Sequence, residues 1–200
     1  GWSPASLLND NHNYLVYKDH YKDNLLNYDS QIIGFGSTES INWDVPHKFI
    51  RPCEDNKTFT GAVYNEKDWV DFVGHSLTNG HTTSLTKDTP IQVSTTKQIY
   101  KEIRCWVIGG KVISASQYRI GNKTILSDDV EPDAYEFCQE MVDKFQLADA
   151  FVMDVCLTEN GWKIVECGCI NCAGFYRVDL MKAIIALEDF YYDKDVDWSH

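Results

Sequence analysis

Two carboxylates, Asp154 and Glu166, lie in short apolar runs on either side of a turn signal. The runs are Phe151–Leu157 and Trp162–Cys167, joined by Thr158-Glu159-Asn160-Gly161, and this pattern predicts a β-hairpin. With the two-residue loop Asn160-Gly161, Asp154 opposes Cys167 and the acids point to opposite faces. With the three-residue loop Glu159-Asn160-Gly161, Gly161 takes a left-handed position, Thr158 pairs with Trp162, and Asp154 opposes Glu166. The second register is the expected one. It puts Val155, Leu157, Lys163 and Val165 on one face, and Asp154, Ile164 and Glu166 on the other. Directly opposed like charges are destabilising in a sheet, and a cation between them removes the penalty. Oxygen ligands of this kind, together with substrate phosphates, are what Mg²⁺ prefers.

A second set of residues suits the same chemistry. Lys48 and Arg51, Lys101 and Arg104, and Lys111 and Arg119 fall inside strand-like runs. Residues 48–123 carry 11 Lys/Arg against 7 Asp/Glu, a balance of +4, within a chain whose net charge is −12. The rest of the chain is therefore at −16. A net charge of −12 argues against general nucleic-acid binding and against docking on anionic lipid. It leaves room for a small anionic ligand in a local basic pocket. Arg suits forked contact with phosphate oxygens, and Lys acts as a point charge.

Other candidates are weaker. The seven cysteines are an odd count, which reads as reduced thiols rather than a disulfide framework. Cys167, Cys169 and Cys172 form a C-x-C-x-x-C cluster without a second Cys or His pair. Tight packing where a strand turns into a helix is expected of them, ahead of zinc or an iron–sulfur cluster. No histidine is matched to a cysteine nucleophile. Gly34-Phe35-Gly36 is too short and badly placed for a phosphate loop. Core packing is the expected fate of Trp106, Tyr118 and Trp162.

These residues need elements to hold them. A short helix is expected around Tyr14–Tyr21, and Pro46 precedes a compact strand Lys48–Pro52. Asn65 reads as the N-cap of a helix carrying Trp69, Val70, Phe72 and Val73. Thr78–Thr89 reads as a loop. Strands follow at Ile91–Thr95, Ile99–Ile108 and Lys111–Arg119, with Gly109-Gly110 as a two-residue hairpin loop. That loop sets Arg104 opposite Ala115 and Glu102 opposite Gln117, so Glu102, Arg104, Trp106, Gln117 and Arg119 share a face. The clearest helix is 131–146, where Ala134, Phe137, Cys138, Met141, Val142 and Phe145 recur at helical spacing. A last helix runs near Val178–Phe190. The mixed order gives an α+β class. There is no repeat, no membrane-length apolar run and no signal peptide. Gly1 in place of Met is expected of a processed, tagged or fragmentary chain, and no residue pattern signals an oligomeric state.

Taken together, these motifs resemble the ATP-grasp superfamily, and most closely its phage-associated clade named for two arginines and a lysine. The resemblance spans about Leu7 to Ala186. It rests on Phe49-Ile50-Arg51-Pro52 with Lys57 and Phe59 to Gly61, and on Glu102-Ile103-Arg104, Gly110-Lys111-Val112 and Ser116-Gln117-Tyr118-Arg119. It continues through Asp154, Gly161, Glu166 and Asn171-Cys172-Ala173-Gly174-Phe175-Tyr176. It implies an ATP-grasp fold, in which two α+β subdomains grip the nucleotide between antiparallel sheets. The implied division is an N-terminal segment 1–47, the remnant of a preceding domain, a first subdomain 48–95 with the hinge strand, a second 96–190, and an acidic tail 191–200. The length suffices for the ATP-gripping core and falls short of a complete family member.

The resemblance also implies roles. Arg51, Lys57, the hinge strand Ile91, Gln92, Val93 and Ser94, and Glu102 bind ATP. Arg104 and Arg119 face the phosphates or an acyl-phosphate. Asp154 and Glu166 hold Mg²⁺. The superfamily's Asn two residues after the metal-binding Glu is here Gly168, and Asn171 is expected to supply the oxygen instead. The implied activity is ATP- and Mg²⁺-dependent joining of a carboxylate to an amine, through an acyl-phosphate, with release of ADP and phosphate. The acceptor is a small molecule or peptide, and the setting is the cytoplasm of a bacterium or phage-infected cell. The alternatives are a kinase, a nucleotide- or protein-binding module without turnover, and a cysteine-based metal module.

Overall fold

The computed structural model describes residues 11–55, 58–78 and 85–192, apart from the side chain of Cys172. Its first helix, α1 (Tyr14–Tyr21), starts where Asn13 Oδ1 accepts the Leu15 N–H at 3.0 Å. Tyr14, Tyr17 and Tyr21 recur at helical spacing and form its buried stripe.

Four strands then make the first sheet: β1 (Gln31–Gly34), β2 (Lys48–Pro52), β3 (Ala62–Tyr64) and β4 (Pro90–Thr95). They are antiparallel in the order β1-β4-β2-β3, so β1, from within segment 1–47, pairs with β4. Between β3 and β4 runs α2 (Glu66–Thr78), which begins as expected, with Asn65 Oδ1 accepting the Asp68 N–H at 2.9 Å. Alternation fixes what each face of the sheet does. Ile50, Ile91 and Val93 point into a core with Phe35, Trp69 and Val73. Ladder partners Phe49 and Ser94, and Arg51 and Gln92, stand on the other face.

The second sheet has five antiparallel strands: β5 (Lys101–Ile108), β6 (Lys111–Ile120), β7 (Lys123–Ser127), β8 (Ala150–Thr158) and β9 (Gly161–Cys169), in the order β7-β6-β5-β8-β9. The expected strands, the helix α3 (Pro132–Lys144) and the last helix α4 (Leu180–Tyr192) all form. β1 and β7 form in stretches where no element was expected. α3 buries Ala134, Cys138, Met141 and Val142 against Ile103, Cys105, Met153 and Val155, and the three tyrosines of α1 join that core. On the opposite face α4 covers Trp106, Ile108 and Val152. The rest of that face, with Glu102, Arg104 and Asp154, is left for the site.

Both hairpins differ in register from the expectation. Gly109-Gly110 forms the two-residue loop, with φ of +58° and +77°, and Ile108 pairs with Lys111. Bulges then insert Ile113 and Tyr118 into β6. Arg104 therefore opposes Ser116 rather than Ala115, and Glu102 opposes Arg119 rather than Gln117. Gln117 moves opposite Ile103, and its Nε2 donates to the Ile125 carbonyl at 3.4 Å. In the second hairpin Thr158 pairs with Gly161, not Trp162, and Gly161 has φ +85°. The tighter turn alone would set Asp154 against Val165. A bulge at Val165 restores the pairing of Asp154 with Glu166. Ile164 is thereby packed in the core beside Val155, while Val165 joins Glu166 on the outer wall.

Candidate active site

Between the two sheets lies a cleft of about 700 Å³. Phe49, Arg51 and Pro52 of β2 line one side, and Glu102, Arg104, Tyr118, Arg119, Asp154, Val165 and Glu166 the other. Thr95-Thr96-Lys97-Gln98-Ile99, which runs from the last residue of β4 toward β5, also lines it.

Each cleft arginine is paired with a cleft carboxylate. Arg104 grips Asp154 with both forks, Nε to Oδ1 and Nη2 to Oδ2, each at 2.8 Å. Arg119 Nη1 donates to Glu102 Oε1 at 2.7 Å. Arg51 is ion-paired with Glu166, so this contact joins β2 of the first sheet to β9 of the second. The Tyr118 hydroxyl donates to Glu102 Oε2 at 2.7 Å and lies 3.4 Å from Asp154 Oδ2. Adjacent strands and the Tyr118 bulge thus link Arg104, Asp154, Tyr118, Glu102 and Arg119 in one charged network, with the Arg51–Glu166 pair beside it.

Burial sets its electrostatics. Asp154 is 3% exposed, and its pKa is raised by desolvation, against the pull of Arg104 and with a further push from Glu166 and Glu102. Burial also raises the Tyr118 phenol, reinforced by the Asp154 and Glu102 charges. Burial works against charge on Arg51 and Arg104, but their carboxylate partners prevail and both are held above the ordinary value. Six cysteines are buried free thiols, and burial pushes Cys53 and Cys156 up to about 12.

Of the residues expected from the sequence, Arg51, Glu102, Arg104, Arg119, Asp154 and Glu166 share this cleft. Ile91, Gln92, Val93 and Ser94 are not among its lining. β4 lies between β1 and β2 and all four are buried, with Gln92 Nε2 donating to Ser30 Oγ at 2.9 Å. The following segment 95–99 lines the cleft in their place. Asn171 is exposed on the 3-10 turn Ile170–Cys172, beyond the end of β9, and does not line the cleft. Lys57 lies outside the described residues, as do residues 79–84 of the expected Thr78–Thr89 loop. Sequence reading gave Tyr118 to the core, whereas it stands in the cleft wall on Glu102, and it assigned no site role to Tyr176 or Asp55. The first needs the bulge, and the other two come from loops.

The donor set suits a divalent cation bound with a phosphate ligand. The described lining carries Arg51, Lys97, Arg104 and Arg119 against Glu54, Asp55, Glu102, Asp154 and Glu166, one more acid than base. A polyphosphate would add negative charge to that excess, and a hard cation offsets it through oxygen ligands. Asp154 and Glu166 stand opposite each other as such ligands. Asp55 adds a carboxylate at the position the sequence leaves bare. Its Oδ2 accepts the Cys169 N–H at 2.9 Å and lies 3.5 Å from where a Cβ on Gly168 would stand. As the side chains stand, no three acidic, His or Cys groups among the described residues converge on one point, and Arg51 and Arg104 hold Glu166 and Asp154.

Comparisons with known proteins agree with this geometry. No curated protein matches the sequence significantly. Among solved structures, D-cycloserine synthetase DcsG superposes with a TM-score of 0.58 at 8% identity, over 92% of this chain and 71% of that one. D-alanine–D-alanine ligase from Bacillus anthracis, complexed with ATP, gives 0.56 at 12% identity, over 80% of this chain and 54% of that one. The ATP-grasp ligase PsnB, complexed with precursor peptide PsnA2 and AMPPNP, gives 0.52 at 16% identity, over 86% and 52%. This chain therefore spans about half the length of the last two. At these identities the likeness shows the fold, an ATP-grasp fold of mixed α+β type. A family model for the ATP-grasp domain of the R-2-K clade, family 3, matches residues 2–187, and the chain belongs to that family.

Proposed function

We propose that this chain is the nucleotide-binding core of an ATP-dependent ligase that joins a carboxylate to an amine. The observation that carries the reading is the cleft itself, where Arg51 of the first sheet faces Arg104, Arg119 and the opposed pair Asp154 and Glu166 of the second. Residues 48–95 and 96–190 act as the two gripping halves, and segment 1–47 fastens to both. The base lies toward Thr95–Ile99 and the phosphates toward Arg51, Arg104 and Arg119. Asp154 and Glu166, with Asp55 over Gly168, would hold Mg²⁺, and the ion would supply positive charge to offset that of the phosphates.

The arginines are held at the cleft by their carboxylate partners, and donors placed there stabilise charge as it develops on the phosphates. A substrate carboxylate oxygen attacks the terminal phosphorus and ADP leaves. The acceptor amine then attacks the acyl carbon, and phosphate leaves with the C–O bond electrons and takes up the proton that the amine gives. The acceptor is a small molecule or a peptide, and the setting is cytoplasmic.

Calorimetry with Mg–AMPPNP on folded protein tests the first step, and the absence of binding would sink the reading. Product analysis across carboxylate and amine acceptors tests the second. Free phosphate in step with ADP supports a ligase. Phosphate retained on the acceptor makes the protein a kinase. Nucleotide bound and never consumed makes it a binding module.

A further inference from the structure

Tyr176 carries a side chain on a left-handed backbone, with φ +51°. That conformation is unfavourable for a residue with a Cβ, and it persists only where the surroundings over-determine it. Four contacts do so here. The Phe175 ring stacks on Trp106 at 5.0 Å and 18°, and the Tyr176 ring on Tyr118 at 5.0 Å and 17°. The Arg177 N–H donates to Ser116 Oγ and the Asp179 N–H to Ser114 Oγ, each at 3.0 Å. Phe175 and the two serine contacts fasten the loop to β5 and β6. The left-handed turn adds a second aromatic ring, and it places that ring in the cleft wall.

The ring lands on a cation. Arg104 Cζ is 5.1 Å from the Tyr176 ring centroid and 5.9 Å from that of Tyr118. Asp154 takes Nε and Nη2 of that guanidinium. Nη1 is the nitrogen left over, and a Cβ on Gly174 would stand 3.7 Å from it. Asp154 fixes one edge of the plane and the two rings restrict its tilt.

We infer that Tyr176 is a positioning residue, whose strained backbone sets its ring against Arg104 so that Nη1 is presented to the anionic part of the cleft's ligand. The inference rests on the nucleotide reading above and assigns a role to a residue outside the charged network. A guanidinium held by Asp154 alone could tilt about that edge. With the Tyr176 ring against it, the remaining donor is pre-aimed, and less ordering is left for the ligand to impose.

Three variants test this: Tyr176→Phe, Tyr176→Leu and Tyr176→Asn. Asn tolerates left-handed backbone, so it removes the ring while leaving the loop free to keep its path. Mg–AMPPNP affinity is measured by calorimetry at low and moderate salt, with amide exchange at Arg177 and Asp179 as the monitor of the loop. The Phe variant is expected within about twofold of wild type, and the Leu and Asn variants about tenfold weaker with a shallower salt dependence. In the Asn variant the Arg177 and Asp179 amides are expected to stay protected. Leu and Asn variants that bind like wild type would overturn the inference alone. So would amide protection lost in step with affinity, because Tyr176 would then be a fastening of the loop. Wild-type protein that binds no Mg–AMPPNP would overturn the nucleotide reading and this inference together.

Discussion

The two sheets meet across one cleft but are built differently. The four-stranded sheet pairs β2 and β4 without interruption from Lys48–Thr95 to Pro52–Ile91. Beneath it an aromatic cluster centred on Trp69, with Phe35, Phe59, Tyr64 and Phe72, fills the space against α2. It sends one arginine, Arg51, into the cleft. The five-stranded sheet carries bulges at Ile113, Tyr118 and Val165, and it supplies Glu102, Arg104, Arg119, Asp154 and Glu166. Regular alternation gives every second residue to the core. A bulge lets two successive residues face the same way, and Tyr118 with Arg119, and Val165 with Glu166, do so at the cleft. The regular sheet is shaped by its core and the bulged sheet by its site.

The largest expected effect separates these two kinds of stability. Arg104→Met leaves Asp154, 3% exposed, without its forked partner. A loss of about 3–5 kcal/mol at neutral pH is expected, the cost of an uncompensated buried charge. Trp69→Ala should cost a similar amount, about 3–5 kcal/mol, by leaving a cavity. Their pH dependence differs. Asp154 already has a raised pKa, and removing Arg104 raises it further. A carboxyl with a raised folded-state pKa carries no penalty below its unfolded value, and the penalty grows as pH climbs toward the folded value. The Arg104→Met deficit should therefore shrink on acidification toward pH ~4, while the Trp69→Ala deficit stays flat. Urea titrations at several pH values read both. A flat Arg104→Met deficit would mean that the bulged sheet, too, is held mainly by packing.

A smaller effect is expected from Tyr118→Phe. It removes the hydroxyl that donates to Glu102 Oε2 but keeps the ring against Tyr176. Glu102 retains Arg119, whose side chain is half exposed. A loss of about 1–3 kcal/mol follows from a buried carboxylate oxygen deprived of its donor. Denaturation of Tyr118→Phe, Arg119→Ala and the double variant checks it. A coupling near zero would show that the two residues contact Glu102 independently.

The sequence made the elements legible because their signals are local. Asn65 as a cap, Gly109-Gly110 as a loop and the helical spacing of Ala134 to Val142 each depend on near neighbours. The opposition of Asp154 and Glu166 was legible too, but by a different route: a turn one residue tighter and a bulge one residue longer cancel at Asp154. No local signal marks Val165 or Tyr118 as a bulge, because bulging depends on what the neighbouring strand and the site require. The segment 95–99 was missed by one strand face, since β4 is buried on both sides until Thr95. Tyr176 and Asp55 reach the cleft from loops, whose paths are set by contacts such as Ser116 with Arg177.

The smallest expected effects come from one substitution made in each region. Gly161 has φ +85° and open space where a Cβ would go, and Gly74 lies in α2 with equally open space. Neither Gly161→Ala nor Gly74→Ala can clash, so backbone conformation alone decides the sign. Gly161→Ala forces a Cβ onto left-handed backbone at the turn that sets the β8–β9 register, and a loss of about 1–2 kcal/mol is expected. Gly74→Ala places the best helix former in a solvated helix interior, and a gain of about 0.5–1 kcal/mol is expected. Amide exchange across β8 and β9 adds a further readout. If Gly161→Ala relaxes by widening the turn, the Val165 bulge no longer has to compensate for it, and Asp154 can oppose Glu166 in an unbulged ladder. Slower exchange around Val165 in that variant would show that turn and bulge are coupled. Unchanged exchange there would show that the site, not the turn, holds the bulge in place.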